Sequence, residues 1–224
     1  MKTHNFTLKH IPLKYYSFLL VLVFFFTGCA SSELSNLGKV KKEISFYYES
    51  GKYSQEVQEV VADAIREFSK LDIRDSSAVV FDIDETVLSN YPQIKGVDFG
   101  YVSDMWNEWI LKAAAPAIEE VKPLYYYLLD KKVHIIFLTG RNTAQYQATY
   151  RNLMSAGFTK FDTLIVRSDN MKDSPAENFK SIERLVLTNM GYKIIGCVGD
   201  QLSDMQGGNT GIQVKLPNYL YYIE

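Results

Sequence analysis

Cysteine is nearly absent from this chain, with Cys29 and Cys197 the only two in 224 residues. Two thiols exclude a disulfide framework as the source of stability. Histidine is almost as scarce: His4 and His10 lie near the N-terminus and His134 sits within a strand-like segment, so there is no His/Cys cluster for zinc. No apolar run reaches the roughly 20 residues that a membrane span needs. The longest, Tyr15 to Phe26, is interrupted by Ser17. Positive charge is not in excess either, with Lys and Arg numbering 24 against 26 Asp and Glu. A chain of that balance has no general attraction to nucleic acid. Internal repeats and low-complexity tracts are missing as well. Cys197, inside Ile194-Ile195-Gly196-Cys197-Val198, reads as a buried inert thiol, and His134 reads as structural.

The short apolar run is itself informative. Lys2, Lys9 and Lys14 flank it, and it ends in Phe24-Phe25-Phe26-Thr27-Gly28-Cys29. Residues 1–28 therefore read as an export signal, outside the folded domain. The ending resembles the lipobox of bacterial lipoproteins, with cleavage before Cys29 and lipidation of its thiol, although Phe26 stands where an aliphatic residue is usual. The expectation is a lipid-anchored protein of the bacterial cell envelope, with a secreted or periplasmic product as the alternative. Without the signal the chain keeps 21 basic and 26 acidic residues, a formal charge of −5. Residues 29–52 are polar without a strong period and read as a lipid-anchored tether. Residues 53–224 are long enough for one domain with a sizeable core.

From Ser54, read as an N-cap, apolar residues Val57, Val61, Ala64, Ile65 and Phe68 recur at helical spacing. Four later runs are short, rich in Val and Ile, and continuous: Ala78–Ile83, Val133–Leu138, Leu164–Val166 and Lys193–Val198. Such runs suit strands buried on both faces, as in parallel sheets. Helical patterns separate them, Thr143–Ala156 closed by Gly157, and a segment opened by Ser174-Pro175-Ala176-Glu177 and closed by Gly191. The alternation predicts a doubly wound α/β sheet. Residues 91–122 interrupt it directly after the first strand, with Met105–Ala115 and Ile118–Asp130 helical. They are expected to form a small helical cap above the strand carboxyl ends.

Chemistry collects at those ends. The first strand runs into Asp82-Ile83-Asp84-Glu85-Thr86, the second ends in Thr139-Gly140-Arg141, and the fourth in Gly199-Asp200-Gln201-Leu202-Ser203-Asp204. In a parallel sheet Asp82, Asp84, Asp200 and Asp204 converge, and their repulsion calls for a hard divalent cation such as Mg²⁺. A carboxylate held there can attack phosphorus, its neighbour two residues on can move a proton, and a hydroxyl and an ammonium are needed around the phosphoryl oxygens. Thr139 and Lys180 are the candidates. Glu85 is assigned to the turn. Arg141 could bind substrate, cap a helix or face water. Trp109, in the cap, is the residue expected to stack on a substrate ring, against core packing as the commoner fate.

Phe81-Asp82-Ile83-Asp84-Glu85-Thr86-Val87-Leu88-Ser89-Asn90, Leu138-Thr139-Gly140-Arg141, Phe179-Lys180-Ser181 and Gly199-Asp200 to Asp204 resemble, in order and spacing, the motifs of the HAD superfamily, subfamily IIIB acid phosphatases. That group includes class B and class C nonspecific acid phosphatases, outer-membrane lipoprotein phosphatases and plant acid-phosphatase-like storage proteins. The C-terminal Lys215-Leu216-Pro217-Asn218-Tyr219 is similar to theirs too. The resemblance implies a HAD-like Rossmannoid fold and Asp82 as nucleophile, with Asp84 as general acid and base. It implies Thr139, Gly140 and Lys180 around the phosphoryl group, with Lys172, in the loop before the helix, as the rival to Lys180. Mg²⁺ would be held by Asp82, the Asp84 carbonyl and Asp200, with Asp204 orienting Asp200 or a bound water. The expected function is Mg²⁺-dependent hydrolysis of small phosphomonoesters through an aspartyl-phosphate. The alternatives are a storage-type protein of weak turnover and a phosphotransferase. A homo-oligomer is compatible with the sequence; no substrate code is legible in residues 91–122.

Overall fold

The computed structural model describes residues 34–223. Residues 1–28, read as an export signal, and Cys29 lie outside them. Among the described residues no helix is long and apolar enough to cross a membrane.

Five parallel strands form one sheet in the order β3-β2-β1-β4-β5. They are β1 Ser77–Phe81, β2 His134–Asn142, β3 Thr163–Arg167, β4 Lys193–Gly199 and β5 Ile212–Lys215. Successive residues of β1 and β2 point to opposite faces, and both faces are apolar. Val79, Phe81, Ile135 and Phe137 join one buried cluster while Ala78, Val80, Ile136 and Leu138 join another. That two-sided burial explains the uninterrupted apolar runs in the sequence. The first face is covered by α2 (Lys52–Phe68), α5 (Lys122–Asp130) and α6 (Tyr146–Ser155), through Phe68, Leu124 and Leu153. The second is covered by α7 (Ala176–Asn189), through Phe179 and Leu187. The sheet is thus doubly wound, and the strand order reverses across β1 and β4, where such folds place their ligands.

Several local expectations need correction. Residues taken for tether include a helix, α1 (Leu37–Glu49). Tyr47 and Tyr48 near its end pack edge to face at 5.4 Å and meet Tyr53, Tyr91 and Tyr219. Ser54 does not cap α2: Gly51 precedes the helix in a left-handed conformation, and the Ser54 hydroxyl instead donates to Glu120. Ser174 does not cap α7 either, because extended Pro175 occupies the cap position without a side-chain bond. In the segment expected to form a cap lie α3 (Tyr91–Gly96) and α4 (Ser103–Lys112), the latter packed on α6 and reaching the core through Trp109. Residues beyond them return to the core, where Ala115, Ile118 and Val121 are buried. The cap is therefore shorter than the 91–122 segment. The edge strand β5 had no counterpart in the sequence reading.

Candidate active site

The carboxyl ends of β1, β2 and β4 open into a cavity of about 760 Å³. Asp82 directly follows β1, and its amide donates to the Val198 carbonyl at 2.9 Å, so sheet pairing fixes its position. The chain then folds tightly over the Ile83 carbonyl, which accepts from the amides of Val87 and Leu88 at 3.0 and 2.9 Å. Glu85 adopts φ 54° at this turn. Its buried carboxyl takes the Asn90 amide and the Tyr221 hydroxyl, the latter at 2.7 Å. The turn role expected for Glu85 is met, and burial together with the Asp84 charge pushes its carboxyl up to about 7.

Lys180 reaches from α7 across the second face. Its ammonium donates to Asp82 Oδ1 at 2.6 Å and also to Asp204. Burial disfavours the ammonium, but the charges of Asp204 and Asp82 outweigh this and keep it protonated well above the ordinary lysine range. Asp204 has its other oxygen on the Gln201 amide at 2.8 Å. Gly199 is needed beneath it, because a Cβ there would overlap the Asp204 carboxyl group. Asp200 Oδ2 accepts from Gln201 Nε2 and Asn218 Nδ2, each at 2.6 Å. Thr86 Oγ1 lies 3.3 Å from both Asp82 Oδ2 and Asp200 Oδ1, bridging the ends of β1 and β4.

Asp82, Asp200 and Asp204 place carboxylate oxygens within 4.8 Å of one another, all buried. Burial pushes Asp82 well up, Lys180 opposes, and Asp204 and Asp200 add to the rise. Burial and the charge of Asp204 push Asp200 up to about 7. One ammonium against three buried carboxylates leaves negative charge uncompensated. A hard, oxygen-seeking divalent cation fits that donor set.

Asp84 stands apart from the three. Register shifts in β2 between Thr139 and Asn142, and this irregularity turns Arg141 inward. Arg141 is 4% exposed and grips Asp84 with Nη2 to Oδ1 at 2.7 Å and Nε to Oδ2 at 3.0 Å. Asn90 Nδ2 adds a bond to Oδ1 at 2.7 Å. Burial alone would raise the Asp84 carboxyl, but Arg141 outweighs it and holds the group below the ordinary carboxylate range. Of the three roles open to Arg141 in the sequence, the structure selects pairing with Asp84.

Thr139 is fully buried, its hydroxyl accepting the Arg141 amide at 3.2 Å. Gly140 and Arg141, not Thr139, meet the cavity. Trp109 is also displaced from its expected place. It packs against the core and donates from Nε1 to Asn90 Oδ1 at 2.7 Å, whereas Trp106, Phe99 and Tyr101 line the cavity. Sequence reasoning gave no role to Thr86, Asn218 or Arg167, and Tyr221 stood only among several rings that could stack on a substrate. Thr86 had a usable signal, its place four residues after Asp82 in the first motif. His134 is bound to Asp162 and the Asp75 carbonyl at 2.7 and 2.8 Å, so it is structural. Burial pushes the Cys197 thiol up to about 12.

The sequence profile of the HAD superfamily, subfamily IIIB (acid phosphatase), matches residues 31–224, and the chain belongs to that family. It is 38% identical over 160 residues to the stem 28 kDa glycoprotein of Glycine max, a match covering 69% of this chain and 63% of that protein. The chain thus spans less than two thirds of that relative's length. To acid phosphatase 1 of Solanum lycopersicum it is 33% identical over 177 residues, covering 76% of this chain and 69% of the relative. The class C acid phosphatase of Bacillus anthracis, solved with tungstate bound, shares the fold at a TM-score of 0.67 and 23% identity. That alignment covers 82% of this chain and 86% of the other.

Proposed function

We propose that the protein hydrolyses small phosphomonoesters, with Asp82 as nucleophile. The observation that carries this reading is the placement of Asp82 at the cavity floor, bound to Lys180 at 2.6 Å and grouped with Asp200. Asp82, Asp200 and the Asp84 carbonyl would hold Mg²⁺. Asp204 would act through Lys180 and the Gln201 amide rather than as a direct ligand. When bound, the cation neutralises the carboxylates and draws negative charge from the phosphoryl oxygens.

The remaining work falls to the chain's own groups. Lys180 keeps an ammonium beside the nucleophile, which both orients Asp82 Oδ1 and attracts the anionic phosphoryl group. Attack by Asp82 forms its acyl phosphate as the ester oxygen departs. Asp84 is ionised in the resting site because of Arg141, so it is ready as the base that takes a proton from water in the second step. Its acid role in the first step needs a proton, and a phosphoester entering as its monoanion supplies one, since the second phosphate pKa is about 6. Gly140 and Lys180 face the transferred group, and Thr139 acts from behind them by fixing the Arg141 amide. A storage role without turnover is the second reading; the retained Asp82–Lys180 pair favours catalysis over it. Hydrolysis of p-nitrophenyl phosphate that EDTA abolishes and Mg²⁺ restores is the expected result. Equal rates in all three conditions would sink the proposal.

Metal affinity should depend on pH in a stated direction. Asp200 is pushed up to about 7, and Asp82 is also raised, so the metal-free site holds protons at pH 5 that the cation must displace. Mg²⁺ affinity should therefore rise between pH 5 and 7, on the order of tenfold per pH unit for each proton displaced. Calorimetric titrations in two buffers of different ionisation enthalpy measure that release directly. Identical heats in both buffers at pH 6 would contradict it.

A further inference from the structure

Two arginines line the cavity, and only one is neutralised. Arg141 is held by Asp84. Arg167, the last residue of β3, has no carboxylate partner among the described residues, although it shares the cavity wall with Asp82 and Lys180. What holds Arg167 leaves its charge unspent. The guanidinium lies 5.2 Å from the centroid of the Phe179 ring, and Nη1 donates to the Ser174 carbonyl at 3.3 Å. Its Nε is buried without a hydrogen-bond partner. Among the described residues only one other buried side-chain atom is unpartnered, Ser203 Oγ, and Ser203 lines the same cavity. Nη2 faces Gly140, 3.8 Å from where a Cβ on that glycine would stand. A planar donor fork, fixed by stacking and left without an anion, is built to take one from the ligand.

We infer that Arg167 binds a second anionic group on the substrate, a carboxylate or phosphate other than the one transferred. The site therefore prefers compact doubly anionic phosphomonoesters. Compactness follows from the position of the guanidinium against Gly140, beside the phosphoryl site. This inference rests on the phosphatase reading, and one pair of substrates separates the two. Glycerol 3-phosphate and 3-phosphoglycerate carry the same scissile group, and only the second bears a carboxylate. Hydrolysis of glycerol 3-phosphate by the wild type tests the phosphatase reading by itself. The ratio of kcat/KM for 3-phosphoglycerate over glycerol 3-phosphate tests Arg167. That ratio should exceed one in the wild type and fall roughly tenfold or more in Arg167→Gln, the worth of a charge-assisted hydrogen bond. Arg167→Lys should retain part of it. Calorimetric binding of both compounds gives the same ratio if turnover is absent, and urea unfolding checks that each variant is folded. A ratio that stays within about twofold overturns the inference. It does so whether both substrates lose equally, which makes Arg167 a ligand of the scissile phosphate or a packing residue, or neither loses.

Discussion

Asp82→Asn protein should lose turnover by about 10⁴-fold or more in kcat/KM while unfolding at the same temperature as the wild type or a higher one. The two halves of this result have one cause. Asp82 is 6% exposed, and burial with Asp204 and Asp200 nearby disfavours its ionised form. An amide of the same shape removes that buried negative charge. Lys180 is not orphaned by the change, because Asp204 still accepts from it. The variant thus loses the proposed nucleophile and a source of repulsion together. Thermal unfolding alongside single-turnover assays with acid quenching reads both halves. A variant that keeps a tenth of wild-type activity would remove Asp82 from the chemistry. One that is inactive only because it is unfolded would refute the charge argument.

Arg141→Met carries the second large effect, and here stability is what fails. The guanidinium meets both oxygens of Asp84 in a site where the two side chains are 2% and 16% exposed. Removing it leaves a buried carboxylate supported only by the Asn90 hydrogen bond and the Lys180 charge, and breaking such a pair typically costs about 3–5 kcal/mol. The pH dependence follows from the sign of the Asp84 shift. In the wild type the carboxyl sits below its ordinary value, so the pair's contribution is complete above the unfolded pKa of about 4 and is lost only as pH falls through the lower folded value. Without Arg141, burial is opposed only by the Asn90 hydrogen bond and the Lys180 charge, and the carboxyl rises. Protonation then relieves the variant as pH drops, so its deficit should be largest near pH 7 and smaller near pH 5. Urea unfolding at both pH values measures this. A deficit under about 1 kcal/mol at pH 7 would mean that the pair is worth no more than a surface one.

The sequence revealed β1, β2 and β4 because parallel, doubly covered strands write their burial as continuous apolar runs, and the edge strand β3 shows a shorter one in Leu164–Val166. β5 was illegible for the complementary reason: Ile212, Gln213, Val214 and Lys215 alternate, and the strand has one neighbour. The helix α1 was missed because its support is aromatic and remote. Tyr48 stacks on Tyr91 at 4.7 Å and on Tyr53 at 4.5 Å, contacts that no local period announces. The same logic separates the site residues. Asp82, Asp200 and Lys180 are fixed by strand ends and one helix, so spacing alone brought them together. Arg141 depends on an irregularity in β2, and Asn218 and Tyr221 arrive on the C-terminal segment. Their roles exist only in three dimensions.

That C-terminal segment constrains how the protein can be built and handled. Asn218 and Tyr221 buttress Asp200 and Glu85, and the Ile223 amide donates to Gln201 Oε1 at 3.1 Å. Tyr222 and Ile223 themselves line the cavity. The polypeptide is therefore still part of the pocket wall at Ile223. A label, fusion or linker joined directly after Ile223 would begin beside the cavity and compete with any ligand for its space.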